Sequence, residues 1–196
     1  MIEEKKATSK IRWGRVIAVV LILAVVIVSG VYFVGVHREK EVAKETVSQF
    51  LTAYQQANPK AGGYLEFDGK EEITFQGIPK LLAEKMTFTL DGVKKEDDVY
   101  LVEAVITVPD FKDAFQYTAK TASKDSSQEQ ILNSLSERLG SDNAKMREFE
   151  LMIPVEKREE ATRVILSSEL SNSLSGGYNE YLANTIGGMY SDEKDN

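Results

Sequence analysis

Few side chains in this sequence could carry out chemistry, because it contains no cysteine and a single histidine. The lack of cysteine excludes a thiolate metal site, a cysteine nucleophile and a disulfide framework. A Ser-His-Asp triad would need His37 as its base, and His37 directly follows a long apolar run. General acid–base catalysis needs a positioned group in a shaped pocket, which this location does not offer. We therefore assign no catalytic residue and predict no metal site and no cofactor.

A carboxylate held in an apolar pocket is the other group that could serve as an acid or a base. Glu103 is the candidate, since it interrupts the apolar run Val99–Val108 on the side opposite Tyr100. If that side faces the interior, Glu103 is a buried carboxylate and could be the base of a small-ligand enzyme. If that side faces water or a sheet edge, Glu103 is an ordinary surface charge, and this second interpretation is favoured.

Aromatic side chains could line a ligand pocket together with such a carboxylate. Tyr54 and Tyr100 are the aromatic residues that we place with Glu103 among the candidate pocket residues. A core of this size also needs many aromatic side chains. Periodicity therefore leaves pocket and core as two alternatives for both tyrosines.

The charged residues do not indicate a cation site or a nucleic-acid partner. The acidic run Glu96-Asp97-Asp98 lacks the alternating ligand positions and the glycine of a calcium loop. We interpret it as a solvated turn. The formal net charge of the chain is −7, and residues 37–196 alone contain 19 basic and 29 acidic residues. An acidic domain repels phosphate, so we predict no nucleic-acid binding.

The apolar run at residues 16–36 predicts a membrane-spanning helix. It contains no charged residue, and at about 1.5 Å per residue a helix of this length crosses the hydrocarbon core of a bilayer. Five basic residues precede the run, whereas the residues after it mix both signs. The positive-inside rule then places the N-terminus in the cytoplasm. A secretory signal cleaved near Val28-Ser29-Gly30 is the alternative, but the run continues beyond that point.

These observations divide the chain into four parts and predict its location. Residues 1–15 form a cytoplasmic tail, residues 16–36 an uncleaved signal-anchor, residues 37–190 an extracytoplasmic domain and residues 191–196 a polar tail. The expected location is the cell membrane, crossed once, with the C-terminal domain outside. The absence of cysteine agrees with an oxidising exterior.

Outside the apolar run, periodicity predicts an α+β fold with an antiparallel sheet. Val47, Phe50, Leu51 and Tyr54 share a helical stripe and predict a helix over Glu39–Gln56. Two strand pairs and three further helices follow, in the order strand pair, two helices, strand pair, helix. Strands and helices do not alternate singly, so the sheet is expected to be antiparallel and packed on helices.

Turn and capping residues set the boundaries of these elements. The predicted strands are residues 86–90, 100–108, 147–155 and 162–166, with a charged connection at residues 94–98. Asp110 is expected to cap one helix, and Ser126 with Glu129 to cap the next. The last helix begins near Ser168 and is expected to continue through Gly176-Gly177 as far as Gly187-Gly188. Residues 64–79 are ambiguous and predict one or two short strands.

Three short motifs resemble those of a known group of domains. They are Val105-Ile106-Thr107-Val108-Pro109-Asp110, then Thr162-Arg163-Val164-Ile165-Leu166, and finally Ser175-Gly176-Gly177-Tyr178. With the order of elements, they resemble the cystatin-like, nuclear-transport-factor-type extracytoplasmic domains of Gram-positive lipoproteins and membrane-anchored proteins. The resemblance covers residues 40–188, although the Gly-x-Trp turn that is usual before the last strand is absent.

The resemblance implies a curved antiparallel sheet that wraps a helix to form a cone. Such cones are often open at one end, and some of them bind or turn over small apolar ligands. Most extracytoplasmic members have no assigned activity. The implied fold is therefore an α+β, cystatin-like cone that follows one transmembrane helix.

The expected function is binding or scaffolding in the bacterial cell envelope, through a membrane-anchored extracytoplasmic domain whose partner is an envelope protein or polymer. One alternative is an assembly component of a conjugation or type IV secretion machine, for which Asn58-Pro59-Lys60-Ala61-Gly62 resembles a loop motif in a different position. Another alternative is an enzyme that uses Glu103. The oligomeric state is left open.

Overall fold

The computed structural model describes residues 35–66, 72–158 and 161–192 of the chain. The chain divides into two compact units, Met1–Glu39 and Lys40–Asn196, and the second contains the domain described below. The predicted cytoplasmic tail and nearly all of the predicted span at residues 16–36 lie outside the described residues. Within the described ranges, no helix combines the length and the apolar character that crossing a membrane requires.

The described chain contains six helices, four strands and one 3-10 helix. The first helix, α1, covers residues 35–55. The other elements are the 3-10 helix Pro59–Tyr64, α2 (Ile78–Lys85), β1 (Thr87–Glu96), β2 (Val99–Pro109), α3 (Phe111–Thr121), α4 (Gln128–Gly140), β3 (Met146–Lys157), β4 (Thr162–Val164), α5 (Ser168–Leu174) and α6 (Tyr178–Asp192). Strand pairs and helices follow in the predicted order, which confirms the α+β class.

The four strands form one antiparallel sheet in the order β1-β2-β3-β4. In the two central strands, Ile106 of β2 lies opposite Phe149 of β3, and Tyr100 lies opposite Val155. The alternation of side chains puts these residues on the same face of the sheet. That face is buried, because Tyr100, Val102 and Ile106 are at most 3% exposed.

The apolar face of the sheet is packed against α1. Val47, Phe50 and Leu51 of α1 are fully buried and belong to one cluster with the buried side chains of β2 and β3. A second, smaller cluster surrounds Val108 near the end of β2 and takes its other members from α2, α3 and α4. The predicted stripe of α1 is therefore confirmed as the side of the helix that faces the core.

The boundaries of the first hairpin and of helix α4 differ from the prediction. The first hairpin is longer than predicted, because β1 continues through the charged residues to Glu96 and only Asp97-Asp98 forms the turn. Helix α4 is capped by Ser127, whose side chain and that of Gln130 form a reciprocal capping box, and not by Ser126. Both serines precede an acid or amide by three residues, so the sequence pattern alone could not separate them.

Helix α2 was not predicted, and the strands expected in residues 64–79 are largely absent from the described part of that segment. Leu65 makes only an isolated bridge to Val164, and residues 72–76 are in no strand. The sequence also offers Asp68-Gly69 as a turn within this segment, and these two residues lie outside the described residues. The sequence does contain a signal for this helix, which is Pro79 in the first turn, followed by apolar residues at helical spacing.

The last helix is interrupted where the sequence predicted continuity. Gly176 and Gly177 have φ values of +65° and +82°, which end α5 and turn the chain into α6. The expected break at Gly187-Gly188 is wrong, because α6 continues to Asp192. The backbones approach closely at the first pair, since a Cβ on Gly176 would lie 2.5 Å from the carbonyl oxygen of Pro109. The amide of Phe111 also donates to the oxygen of Gly176, at 3.0 Å.

We predict that Gly176→Ala destabilises the domain by about 2–4 kcal/mol, because alanine meets both a left-handed backbone and the Pro109 oxygen. Gly63→Ala is the matched control, since nothing lies within 4 Å of a Cβ at that position, and it should change stability by about 0.5 kcal/mol or less. Urea unfolding of the two variants, followed by circular dichroism, measures the difference. Equal midpoints for Gly176→Ala and the unchanged chain would contradict this account of the α5–α6 junction.

Candidate functional site

An apolar cleft of about 470 Å³ lies among the helices of the described chain. We call it the apolar cleft. Its lining residues come from α1 to α5 and the start of α6: Tyr54, Ile78, Pro79, Leu82, Phe111, Phe115, Ile131, Leu132, Leu135, Leu174, Ser175 and Tyr178. None of them carries a charge, so the cleft is suited to an apolar ligand.

The apolar cleft lies where α3 leaves the end of the sheet. Asp110 follows β2 directly and caps α3 by accepting a hydrogen bond from the amide of Asp113, at 3.2 Å, as the sequence predicts. This cap fixes the first turn of α3 and with it Phe111. The ring of Phe111 packs edge-on against Tyr178, with 4.8 Å between the centroids. The two rings join α3 to the start of α6 and form one wall of the cleft.

Part of the cleft surface faces solvent. Leu132 on α4 is 47% exposed and Tyr178 is 40% exposed, although both line the cleft. The helical spacing of Ile131, Leu132, Leu135 and Leu139 predicts one apolar stripe on α4, and the structure divides this stripe between two environments. Leu135 and Leu139 enter the buried cluster around Val108, whereas Leu132 stays uncovered. Exposed apolar side chains grouped in a concave surface are typical of a binding site.

A second cavity, of about 360 Å³, adjoins the apolar cleft. We call it the polar cavity, because Glu72, Ser171, Ser175 and Asn179 are among its lining residues, although apolar side chains, among them Phe50, Leu65, Ile73 and Leu166, also line it. Tyr54, Leu174 and Ser175 line both cavities, so the two are neighbours. Each volume is within the range of about 300–1,000 Å³ that small-molecule sites occupy.

Tyr54 is the one predicted pocket residue that the structure places at these cavities. Its ring packs edge-on against Phe75, with 5.0 Å between the centroids. Burial raises the pKa of Tyr54 to about 12, so its hydroxyl stays protonated at neutral pH. Tyr54 can therefore offer a neutral donor and acceptor beside an apolar ligand.

Tyr100 and Glu103 line neither of these two cavities. They also lie on opposite faces of the sheet. Tyr100 is 3% exposed and belongs to the core, and the Nζ of Lys95 lies 5.1 Å from its ring centroid. Of the two alternatives left open for Tyr100, the structure thus shows the core position. Successive strand residues point to opposite faces, so Glu103 lies on the uncovered face.

Glu103 is a surface charge with a partner. Its carboxylate accepts an ion-paired hydrogen bond from the Nζ of Lys94 at 2.6 Å, and its side chain is 35% exposed. The hydrogen bond and the positive charge of Lys94 lower the pKa of Glu103. The idea of a buried carboxylate with a raised pKa is therefore wrong, and the favoured interpretation of Glu103 as an outer-face charge is confirmed.

No metal-binding group of three or more histidine, cysteine or acidic residues occurs in the part of the chain that the structure describes. On the outer face of the sheet, Asp91 and Glu150 line a groove with Glu103, but these acids do not form such a group. His37 is outside the lining of both the apolar cleft and the polar cavity.

The aliphatic residues that build the apolar cleft were missed for an identifiable reason. Ile78, Pro79 and Leu82 belong to α2, a helix that the sequence pattern did not lead us to predict. Leu132 was recognised only as a helix residue, whereas Phe111 could, like Tyr54, equally line a pocket or fill the core. The exposure of a leucine depends on how neighbouring helices are arranged, and periodicity within one helix does not report it.

Comparisons with known proteins give no relative for this chain: no protein-family model, no curated protein and no solved structure matches it. The functional argument therefore depends on the geometry of the described residues and on the sequence.

We predict that Lys94→Met raises the pKa of Glu103 towards its ordinary value, because the variant removes the hydrogen bond and the charge that favour the ionised form. Since the folded pKa is lowered, the pair stabilises the fold above the unfolded pKa. That stabilisation is lost as the pH falls through the folded pKa.

Carboxyl NMR titration of Glu103 measures this change directly. Lys95→Met is the control, because it removes the same charge from the adjacent position, on the opposite face of β1. The account requires the Glu103 pKa to rise in Lys94→Met and to change much less in Lys95→Met. An identical pKa in all three proteins would contradict it.

Proposed function

We propose that this chain is a single-pass membrane protein whose C-terminal domain lies outside a bacterial cell and binds a ligand in the apolar cleft without chemical turnover. The uncharged run at residues 16–36 and the basic residues before it support the proposed location. The observation that carries the binding role is the apolar cleft, with its uncovered leucine and aromatic side chains.

An uncovered apolar cleft is costly for a domain that has only a structural role. Burying apolar area stabilises a fold by about 25 cal/mol per Å², and exposed apolar surface promotes association. Leu132 and Tyr178 stay partly exposed, so their full burial does not contribute to the stability of the domain. A ligand that fills the cleft would bury them, which favours a binding function.

Binding is favoured over catalysis by the character of the lining residues. Among the described residues that line the apolar cleft, the polar side chains are hydroxyls, those of Tyr54, Ser175 and Tyr178. The hydroxyl of Ser175 already donates to the backbone oxygen of Asn172, at 2.9 Å. Glu103, the carboxylate that the sequence offers as a base, lies on the other side of the sheet and is paired with Lys94.

The cone-like, cystatin-related form of the domain is part of this proposal. Its support is the antiparallel sheet with one apolar face packed against α1. In contrast to a cavity inside a cone, the proposed site is formed mainly by helices. The conjugation or secretion alternative gains no support from Asn58 and the residues after it, because Asn58 caps the 3-10 helix and Ala61 and Gly62 are buried in it.

The proposed location predicts that alkaline phosphatase fused after Asn196 is active and that a fluorescent protein fused there, which folds only in the cytosol, is dark. Replacing the basic residues at positions 5, 6, 10, 12 and 15 by glutamate should weaken or reverse this result. A bright fluorescent fusion together with an inactive phosphatase fusion would show a cytosolic domain and overturn the proposal.

The binding role predicts that decanol carrying a diazirine labels cleft residues when the full chain is embedded in phosphatidylcholine nanodiscs and illuminated. Leu132→Trp should abolish labelling by filling the cleft. Leu182→Trp is the matched control, because Leu182 is 40% exposed on α6 and lines neither cavity. Peptide mass spectrometry locates the labels, and their absence from the cleft of the unchanged chain would refute the binding site.

A further inference from the structure

We propose that the apolar cleft and the polar cavity form one site for a small amphipathic amine, whose apolar body occupies the cleft and whose ammonium group occupies the polar cavity. This inference depends on the proposed binding function and names the ligand class. It follows from the adjacency of the cavities, their hydrogen-bonding capacity and their charge.

The two cavities meet at a shared boundary. Tyr54 of α1, Leu174 at the end of α5 and Ser175 after it line both. On one side of this boundary the lining is formed by Leu82, Leu135 and other apolar side chains. On the other side, polar side chains lie among apolar ones in the lining of the polar cavity. A molecule that enters both cavities therefore meets most of the polar side chains at one end, which suits a ligand that is apolar at one end and polar at the other.

The polar cavity presents more acceptors than donors. Asn179 already donates from its Nδ2 to the Oγ of Ser171, at 3.1 Å, and Ser175 donates its hydroxyl proton to the oxygen of Asn172. The amide oxygen of Asn179 accepts no hydrogen bond from the described residues and remains available, as do the lone pairs of Ser175 and the carboxylate of Glu72. A donor-rich head group, such as an ammonium with three N–H bonds, matches this set.

The charge of the site also favours an ammonium head group. Glu72 is the one charged residue among the described residues that line the two cavities. Lysine, arginine and histidine are absent from the described part of that lining, so an anionic head group would meet the like charge of Glu72 and no cationic partner among the described lining residues. An ammonium group pairs with the carboxylate, and such charge-assisted hydrogen bonds are stronger than neutral ones.

Glu72 is exposed, so solvent limits the strength of the pair. Exposed ion pairs typically favour association by a factor of about five or less. We therefore expect an alkylamine to bind more tightly than the alcohol of the same chain length, by up to about fivefold. The corresponding carboxylate should bind more weakly than the alcohol.

The test compares decylamine, decanol and decanoate, each carrying the same diazirine, on the full chain in phosphatidylcholine nanodiscs at neutral pH. Half-saturation of labelling at cleft residues is measured by peptide mass spectrometry. The ratio of the half-saturation concentrations of decylamine and decanol is compared among the unchanged chain, Glu72→Gln and Glu84→Gln. Because all three proteins share the same lipid, partition of the probes into the bilayer cancels in this comparison.

The proposal requires the amine preference to disappear in Glu72→Gln and to remain in Glu84→Gln, where the substituted acid lies on α2 and pairs with Lys80 at 3.7 Å. Alcohol labelling of the cleft should be equal in all three proteins. Equal binding of the three probes, or a preference for decanoate, would overturn the ligand class but leave the cleft as a binding site. A cleft that no probe labels would overturn both the inference and the proposed binding function.

Discussion

Coverage of the one apolar face of the sheet is the constraint on which the rest of this structure depends. Val102 and Ile106 in the central strand β2 are fully buried, as is Ile153 beside them on β3. The sheet supplies one side of this core, and α1 covers it through Phe50 and Leu51, together with buried side chains of the 3-10 helix and α5. The opposite face can then carry charge at little cost, which is why Glu103 and Lys94 pair there at the surface.

Towards the end of β2, helices other than α1 cover the apolar face of the sheet, and the apolar cleft lies among these helices. Val108 is surrounded by side chains of α2, α3 and α4 in place of α1. The turn between α5 and α6 is held against the same point, because Gly176 lies against the Pro109 oxygen and accepts a hydrogen bond from Phe111. Five helices thus converge on one end of the sheet. Their side chains bury Leu139 but leave a concave apolar surface beside it.

The sequence predicted those elements whose signals are local and left the arrangement of helices undetermined. The strand pairs, the stripe of α1 and the Asp110 cap depend on spacing within one segment, and the structure confirms them. Gly176-Gly177 could not be assigned from spacing, because the apolar stripe continues on both sides while the backbone turns. Glu103 and Tyr54 show the same limit for the site. The alternation along β2 predicts that Glu103 and Tyr100 lie on opposite faces, but tertiary packing determines which face is covered. Tertiary packing also determines that Tyr54 borders two cavities.

The central claim is that the apolar cleft is open to a ligand in the folded domain. Methyl NMR of the full chain in nanodiscs, with labelled isoleucine and leucine and a decanol titration, tests it most directly. The account predicts saturable shifts for Ile131, Leu132 and Leu135, and none for Leu101 on the outer face of the sheet. Shifts that do not saturate, or that appear at Leu101 and not at α4, would contradict it.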